Sequence, residues 1–227
     1  MKKFSTAFIF FAVILSLSGK SMADGNNQAS LFSEGCQNTN EAAFHVIEKC
    51  AKEEFAAYGA PINPLIIKEF LDLPSDRGAQ IVSIDLVNSQ NSNRFSLAGM
   101  NYSVQKYKDS FMVAVEADED QQFSYAIEAV TDNGIYIIKT SENFGGSGTF
   151  QGLLFLRIRG VMVPNMESQD VPLPLKKRLV IESLAALTLG DRVGTTISVQ
   201  GNVVDVNTTD ANGNITGRKI DLSLVKP

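Results

Sequence analysis

The sequence predicts an α+β protein in which an N-terminal helical hairpin packs on an extended, mostly antiparallel β-sheet. Between residues 38 and 74, apolar residues recur every three or four positions, a spacing typical of amphipathic helices. Between residues 79 and 160 they alternate with polar residues, which is typical of half-buried strands. The 227-residue chain is 44% hydrophobic and 20% charged, which indicates a globular protein rather than a disordered or collagen-like one.

Two helices are predicted before the strands. The first begins at Asn38 as its N-cap and ends at Gly59. The second begins at Pro64, with Asn63 as its N-cap, and ends before Pro74. Their apolar stripes comprise Phe44, Ile47, Ala51, Phe55 and Tyr58 in the first helix, and Ile66, Ile67, Phe70 and Leu71 in the second.

A series of antiparallel strands follows the helices. The turn at residues 131–134 contains Asn133-Gly134, which favours a hairpin because both residues tolerate a positive φ angle. The stretch from Phe150 to Arg159 is apolar on both faces for much of its length, which predicts a central strand covered by the helices. The alternating apolar positions are Val82, Ile84 and Leu86; Phe95 and Leu97; Phe111, Val113 and Val115; Phe123, Tyr125, Ile127 and Ala129; and the run at 135–139.

The C-terminal third gives a weaker pattern. Residues 163–174 contain three prolines and are predicted to form a crossover or linker. Residues 175–189 fit a helix or a strand, and a helix over 176–188 is preferred. Residues 195–206 read as one strand with a bulge at Gly201-Asn202, followed by a polar turn at 208–217. A returning strand carries Ile220, Leu222 and Leu224, and residues 38–227 are expected to form a single domain.

The N-terminus has the pattern of a secretory signal peptide. Met1-Lys2-Lys3 is positively charged, residues 4–17 are apolar, and Ser21-Met22-Ala23 offers small residues at the two positions that a signal peptidase reads. The apolar run is shorter than the roughly 20 residues that a membrane-spanning helix needs, so we expect cleavage after residue 23 and no transmembrane anchor. We therefore predict an exported protein, periplasmic or secreted. The start is typical of bacteria, although a eukaryotic secretory route remains open.

Charge in the expected mature chain is unevenly distributed. Removal of residues 1–23 leaves 204 residues with 17 Lys+Arg and 25 Asp+Glu, a net charge of −8. Residues 24–142 hold 18 acids and 8 bases, whereas residues 143–227 hold 7 acids and 9 bases. The acidic balance argues against nucleic acid as a partner. The asymmetry between the halves is typical either of a side that faces a partner protein or of two solvated surfaces.

The two cysteines are predicted to form a disulfide. Cys36 and Cys50 lie in an expected oxidising compartment, and their spacing does not fit a CxxC redox pair. The bond would join the loose segment at residues 24–37 to the middle of the first helix. Two cysteines and one histidine make a poor zinc set, so we predict no metal site and no cofactor.

The sequence offers no catalytic constellation, and we predict that the protein is not an enzyme. His45 is the only histidine, and no nucleophile signature accompanies it. Ser147 lies in a glycine-rich run, but Thr149 stands where a nucleophile elbow needs glycine. Carboxylates at residues 116–120, and a second group at Asp210, Asn212 and Asn214, are ligand types for calcium, yet both are more typical of solvated turns.

Arg157 and Arg159 are the predicted ligand-binding residues. They project from one face of an otherwise apolar strand, where each guanidinium must reach solvent, pair with a carboxylate or bind an anionic ligand. The leading hypothesis is a non-enzymatic exported interaction protein, such as an accessory of an envelope or secretion assembly or an inhibitor of a secreted factor. The alternative is a carrier that binds a small apolar or anionic ligand between helix and sheet, with one of these arginines at the mouth.

Overall fold

The computed structural model describes residues 32–37, 44–71, 81–118, 121–191, 193–210 and 212–225. The predicted signal peptide, residues 24–31 of the loose segment, and the predicted cap at Asn38 lie outside the described residues. The protein is mostly β with a few short helices, which is broadly the predicted α+β class. The helices are α1 (Glu34–Gln37), α2 (Phe44–Glu54), α3 (Pro64–Lys68) and α4 (Leu86–Ser89).

Within the described residues, the strands form three antiparallel sheets. A small hairpin consists of β1 (Ala56–Ala57) and β2 (Ala60–Pro61). The main sheet has seven strands in the order β3-β9-β8-β7-β6-β5-β4, and the C-terminal sheet has the order β10-β11-β12. Their bounds are β3 (Ser83–Asp85), β4 (Asn101–Tyr107), β5 (Ser110–Asp118), β6 (Gln121–Val130), β7 (Tyr136–Phe144), β8 (Phe150–Pro164), β9 (Leu175–Asp191), β10 (Gly194–Gln200), β11 (Val203–Thr209) and β12 (Ile215–Asp221).

The first predicted helix ends earlier than its apolar stripe suggests. Helix α2 stops at Glu54 because Phe55 takes a left-handed conformation with φ of 53°, which turns the chain into β1. The turn between β1 and β2 uses Tyr58 and Gly59, both with positive φ, as a two-residue hairpin requires. The two predicted helices exist, and Asn63 caps α3 by accepting a hydrogen bond from the Leu65 amide, but they do not clearly form a helical hairpin.

The helices pack on one face of the main sheet. This helix-side core includes Phe55, Ile66 and Ile67 from the helical region, against Tyr125 of β6 and Leu154 of β8, all of them buried. The Tyr125 hydroxyl donates to the carbonyl oxygen of Ile62 at 2.5 Å, so the one polar atom of this ring is satisfied inside the core. Burial accordingly raises the pKa of the Tyr125 phenol well above its ordinary value.

The C-terminal sheet covers the opposite face. Leu153 and Phe155 of β8 pack there against Val204 and Val206 of β11 and against Leu222. Strand β8 therefore has the two apolar faces that the sequence indicates, but the helices cover only one of them. The second face is buried by residues 194–222, whose docking the sequence pattern does not indicate.

Strand β9 corrects the predicted helix over 176–188. It pairs with β8 from Leu175 to Asp191, and bulges at Leu184 and Leu189 shift the register. Each bulge changes the phase of the apolar alternation, so the sequence loses its period of two and imitates helical spacing. The stretch at 163–174, predicted as a crossover or linker, instead completes β8 at Pro164 and forms the loop of the β8–β9 hairpin at 165–174. A hydrogen bond from the Asn165 amide to the Pro174 carbonyl oxygen closes this loop.

Three smaller expectations also fail. Phe95 lies in a 3₁₀ turn (Asn93–Phe95) rather than a strand, and Leu97 follows it in a loop. Gly201-Asn202 forms the two-residue turn between β10 and β11 instead of a bulge, with Gly201 at φ of 60°. Strand β12 ends at Asp221, so Leu222 and Leu224 lie beyond it, the first buried and the second exposed.

Candidate functional site

Arg157 and Arg159 lie side by side on β8 and bind the same carboxylate. Glu182 of β9 stands directly opposite Arg157 in the sheet register. One oxygen of Glu182, Oε2, accepts from Arg157 Nη2 at 2.8 Å and from Arg159 Nε at 2.9 Å. The other, Oε1, accepts from Arg159 Nη2 at 2.7 Å. Both oxygens are therefore engaged by guanidinium groups, in a strong charge-assisted geometry.

The electrostatics of this cluster favour an internal ion pair. Hydrogen bonds from Arg159 and then from Arg157 hold the pKa of Glu182 below its ordinary value, although partial burial opposes them. Because Ile158 points into the helix-side core, the two arginines face the opposite side of the sheet. They are not between helix and sheet, where the carrier hypothesis places them. Their role as ligand-binding residues stays a prediction.

The disulfide between Cys36 and Cys50 is confirmed. The bond links α1 to the middle of α2, with the two Cα atoms 5.6 Å apart. Both cysteines are buried in the helix-side core, and Phe32 contacts the ring of Phe111 beside them at a centroid distance of 5.5 Å. His45 is exposed on α2. A disulfide of this kind is consistent with an exported protein.

Only part of the first acidic group considered for calcium, at residues 116–120, is described by the structure, because Glu119 and Asp120 lie outside the described residues. In the second, the Asp210 carboxylate accepts from the amides of Asn212 and Asn214 at 2.8 and 2.9 Å and from the Asn214 side chain at 2.9 Å. These bonds, the Asn214 side chain first, lower the pKa of Asp210. The carboxylate thus closes its own hairpin turn.

The β8–β9 hairpin extends beyond its neighbours in the main sheet. In the described residues, β7 pairs with β8 only as far as Leu156, and β3 pairs with β9 only over residues 180–182. Residues 161–178, which we term the arm, are therefore a two-stranded extension with its loop. Five large apolar side chains are exposed in it: Met162 by 58%, Met166 by 76%, Val171 by 95%, Leu173 by 38% and Leu175 by 63%.

The base of the arm is fixed by ion pairs. Lys177 Nζ lies 2.5 Å from Glu48 of α2 and 5.3 Å from the ring centroid of Phe44. Arg178 pairs with Asp85 at 3.2 Å. The hydrogen bond from Lys177 is the main reason why the pKa of Glu48 is lowered. These contacts hold the arm in a defined direction relative to α2 and β3.

A separate cavity of about 280 Å³ opens between α3 and one end of the main sheet. Its apolar lining includes Leu65 of α3, Phe95, Met100, Phe123 of β6 and Phe144 of β7. Phe144 is 61% exposed and lies at a centroid distance of 6.0 Å from Phe150, across the β7–β8 hairpin. The glycine-rich run at 145–148 is the loop of that hairpin, so it shapes the surroundings of this cavity.

Two cations line the cavity, and each is paired within the protein. Lys68 Nζ lies 2.5 Å from Glu142 Oε1 and about 6 Å from the ring centroids of Phe123 and Phe144. Arg94 Nη2 lies 2.7 Å from Glu69 Oε2, and its guanidinium is 5.1 Å from the ring centroid of Phe95. Gln121, Gln122 and Asn143 add carboxamide groups to the lining.

Sequence reasoning missed both the arm and the cavity. The arm had a readable signal, because Met162, Met166, Val171, Leu173 and Leu175 interrupt an otherwise polar, proline-containing stretch. The cavity had none, since its lining residues come from four distant segments of the chain.

No protein-family model matches the chain, and no curated protein or solved structure gives a significant match. Within the part of the chain that the structure describes, no helix combines the length and the apolar character needed to cross a membrane.

Proposed function

We propose that the protein is a non-enzymatic, exported interaction protein that docks on a partner protein through the arm. The proposal depends on one observation, which is the concentration of exposed large apolar side chains in residues 162–175. Exposed apolar side chains scattered singly are ordinary, whereas a contiguous group is typical of an interaction surface. Within the described residues, no second layer buries these five side chains.

The register of the hairpin places part of this group on one face. Met162 is opposite Lys177, and Pro164 is opposite Leu175. Side chains of directly opposed residues share a face of the sheet, and residues two positions apart share it too. Met162, Pro164 and Leu175 therefore form a continuous apolar strip. The unbranched methionine side chains at 162 and 166 can adapt to the surface of a partner.

Apolar contact, rather than charge, is the proposed basis of recognition. The three consecutive cations of the arm are each paired within the protein: Lys176 with Glu167, Lys177 with Glu48 and Arg178 with Asp85. A partner would gain little from replacing these pairs. The proposed partner surface is an apolar groove or strip that covers the loop at residues 165–174.

A quantitative co-purification experiment tests the proposal. The triple variant M162S/M166S/L175S removes three of the exposed side chains without touching a buried one. Ile215→Ser is the matched control, because Ile215 is also exposed but lies on β12. Each tagged protein is crosslinked in its native compartment, and co-purified proteins are quantified by mass spectrometry.

We expect the wild type and Ile215→Ser to retain one stoichiometric partner and the triple variant to lose at least nine-tenths of it. Far-UV circular dichroism should be the same for all three. Equal recovery of the partner with the triple variant would overturn the role of the arm. Recovery of a small molecule, with no stoichiometric protein, would overturn the interaction function in favour of a carrier.

A further inference from the structure

We propose that the cavity between α3 and the main sheet binds a small, uncharged, mostly apolar molecule. This site is separate from the arm and does not depend on the function proposed for the arm. Neither Arg157 nor Arg159 lines it.

The size of the cavity limits the ligand. A dry apolar cavity of about 150 Å³ accommodates benzene, and drug-sized ligands occupy pockets of about 300–1,000 Å³. The cavity of about 280 Å³ therefore suits a ligand of one to three six-membered rings, or a short branched aliphatic chain.

The charge arrangement selects against ionic ligands. An anion would have to displace Glu142 from Lys68 or Glu69 from Arg94. A cation would have to displace Lys68 from Glu142 or Arg94 from Glu69, and it would also have to replace these side chains over the aromatic rings. An uncharged ligand leaves both ion pairs intact and gains contact with the rings and with Met100.

The carboxamide groups give the site a polar rim. The Asn143 side-chain oxygen accepts from the amides of Gly145 and Gly146 at 2.9 and 3.2 Å, which orients its amide nitrogen as a donor. Gln121, on the neighbouring strand, also lines the cavity. One hydroxyl, carbonyl or amine group on the ligand would find hydrogen-bond partners here, while its apolar part contacts Phe95, Phe123 and Phe144.

Fluorescence titration with N-phenyl-1-naphthylamine tests this site, because the probe has two ring systems, is uncharged at neutral pH and brightens in apolar surroundings. We expect saturable binding by the purified wild-type protein. Phe144→Ser removes an exposed ring of the lining and should weaken binding at least fivefold. Ile215→Ser, which removes an exposed apolar side chain of β12 outside the cavity lining, should change the dissociation constant by less than twofold.

The controls separate this proposal from its alternatives. The arm variant M162S/M166S/L175S should bind the probe as tightly as the wild type, since its changes are remote from the cavity. Loss of binding in that variant, with retention in Phe144→Ser, would overturn the proposed site. The double variant K68M/E142Q removes one ion pair of the lining without leaving an unpaired charge. If the anionic probe 1-anilinonaphthalene-8-sulfonate bound more tightly than N-phenyl-1-naphthylamine, and this double variant abolished that binding, the ligand would be an anion and the proposed uncharged class would be wrong.

Discussion

The side chain of Asn133 donates a hydrogen bond of 2.9 Å to the carbonyl oxygen of Leu222, 89 residues further along the chain. Its amide nitrogen also donates to the Val225 carbonyl oxygen at 2.9 Å, and its backbone amide donates to Asn202 Oδ1. The backbone amide of Asp132 adds a bond to the Gly201 carbonyl oxygen. The turn between β6 and β7 thus fastens the C-terminal sheet onto the main sheet.

Replacement of Asn133 by alanine should destabilise the protein by about 1–3 kcal/mol, because it leaves the Leu222 and Val225 carbonyl oxygens without this donor. Urea unfolding followed by circular dichroism measures the free energy. Asn212→Ala is the control, since Asn212 occupies an exposed hairpin turn and should cost no more than about 0.5 kcal/mol. Equal stabilities of the two variants would contradict the fastening role.

The Glu182→Gln variant should show a pH-dependent loss of stability. The pKa of Glu182 is lowered in the folded protein by Arg159 and Arg157, so its contribution is complete above the unfolded value of about 4.3 and disappears as pH falls through the folded pKa. We expect the variant to be about 1.5–3 kcal/mol less stable at pH 7, with a smaller difference at pH 3.

Urea titrations at both pH values provide the measurement. Glu167→Gln is the matched control, because Glu167 pairs with Lys176 at the exposed surface, where an ion pair contributes about 0–1 kcal/mol. If the stability difference for Glu182→Gln stayed constant between pH 7 and pH 3, the two arginines would not lower the pKa of Glu182, and the prediction would be wrong.

Shortening a buried side chain of β8 should destabilise the protein on either face of the strand. Leu154→Ala opens the helix-side core and Leu153→Ala opens the core beneath the C-terminal sheet, and both side chains are fully buried. Each variant should lose about 2–5 kcal/mol, whereas Ile215→Ala at an exposed position should lose about 0.5 kcal/mol or less. A nearly neutral Leu153→Ala, measured by thermal or urea unfolding, would mean that the C-terminal sheet does not cover this face in solution.

The disulfide should make a measurable contribution to stability. Thiol titration of the unfolded, unreduced mature protein should find no free thiol among its two cysteines, and the titration after reduction should find two. The double variant C36S/C50S should be less stable by about 3 kcal/mol, since the bond closes a loop of about 15 residues in the unfolded chain. Two reactive thiols before reduction would contradict the bond.

Several local features could be predicted from the sequence because neighbouring residues decide them. The Cys36–Cys50 bond, the cap at Asn63 and the turn at Asn133-Gly134 each depend on residue types within a short segment. Strands β5 and β6 could be predicted for the same reason, since apolar residues alternate along most of each, and β7 could be predicted because its first residues are an apolar run directly after the turn.

Other features were misread where the local pattern was ambiguous. The bulges in β9 break its alternation, so that Leu184–Leu187 resembles a helical stretch. Gly201-Asn202 has the composition of a two-residue turn, but the valines on both sides read as one continuous strand. In the folded protein, β12 pairs with β11 as a third strand, and Leu222 packs in the core beneath this sheet.

The sequence alone determined the disulfide, the presence of helices α2 and α3, most strands of the main sheet and the two-sided apolar character of β8. Tertiary structure decided what covers the second face of β8, which carboxylate binds Arg157 and Arg159, and where a cavity and an exposed apolar arm are formed. The reason is physical. A periodic pattern indicates that one face of an element must be buried, and an isolated charge indicates that a counter-ion is needed. Which layer covers the face, or which residue pairs with the charge, depends on residues tens of positions away that only tertiary packing brings together.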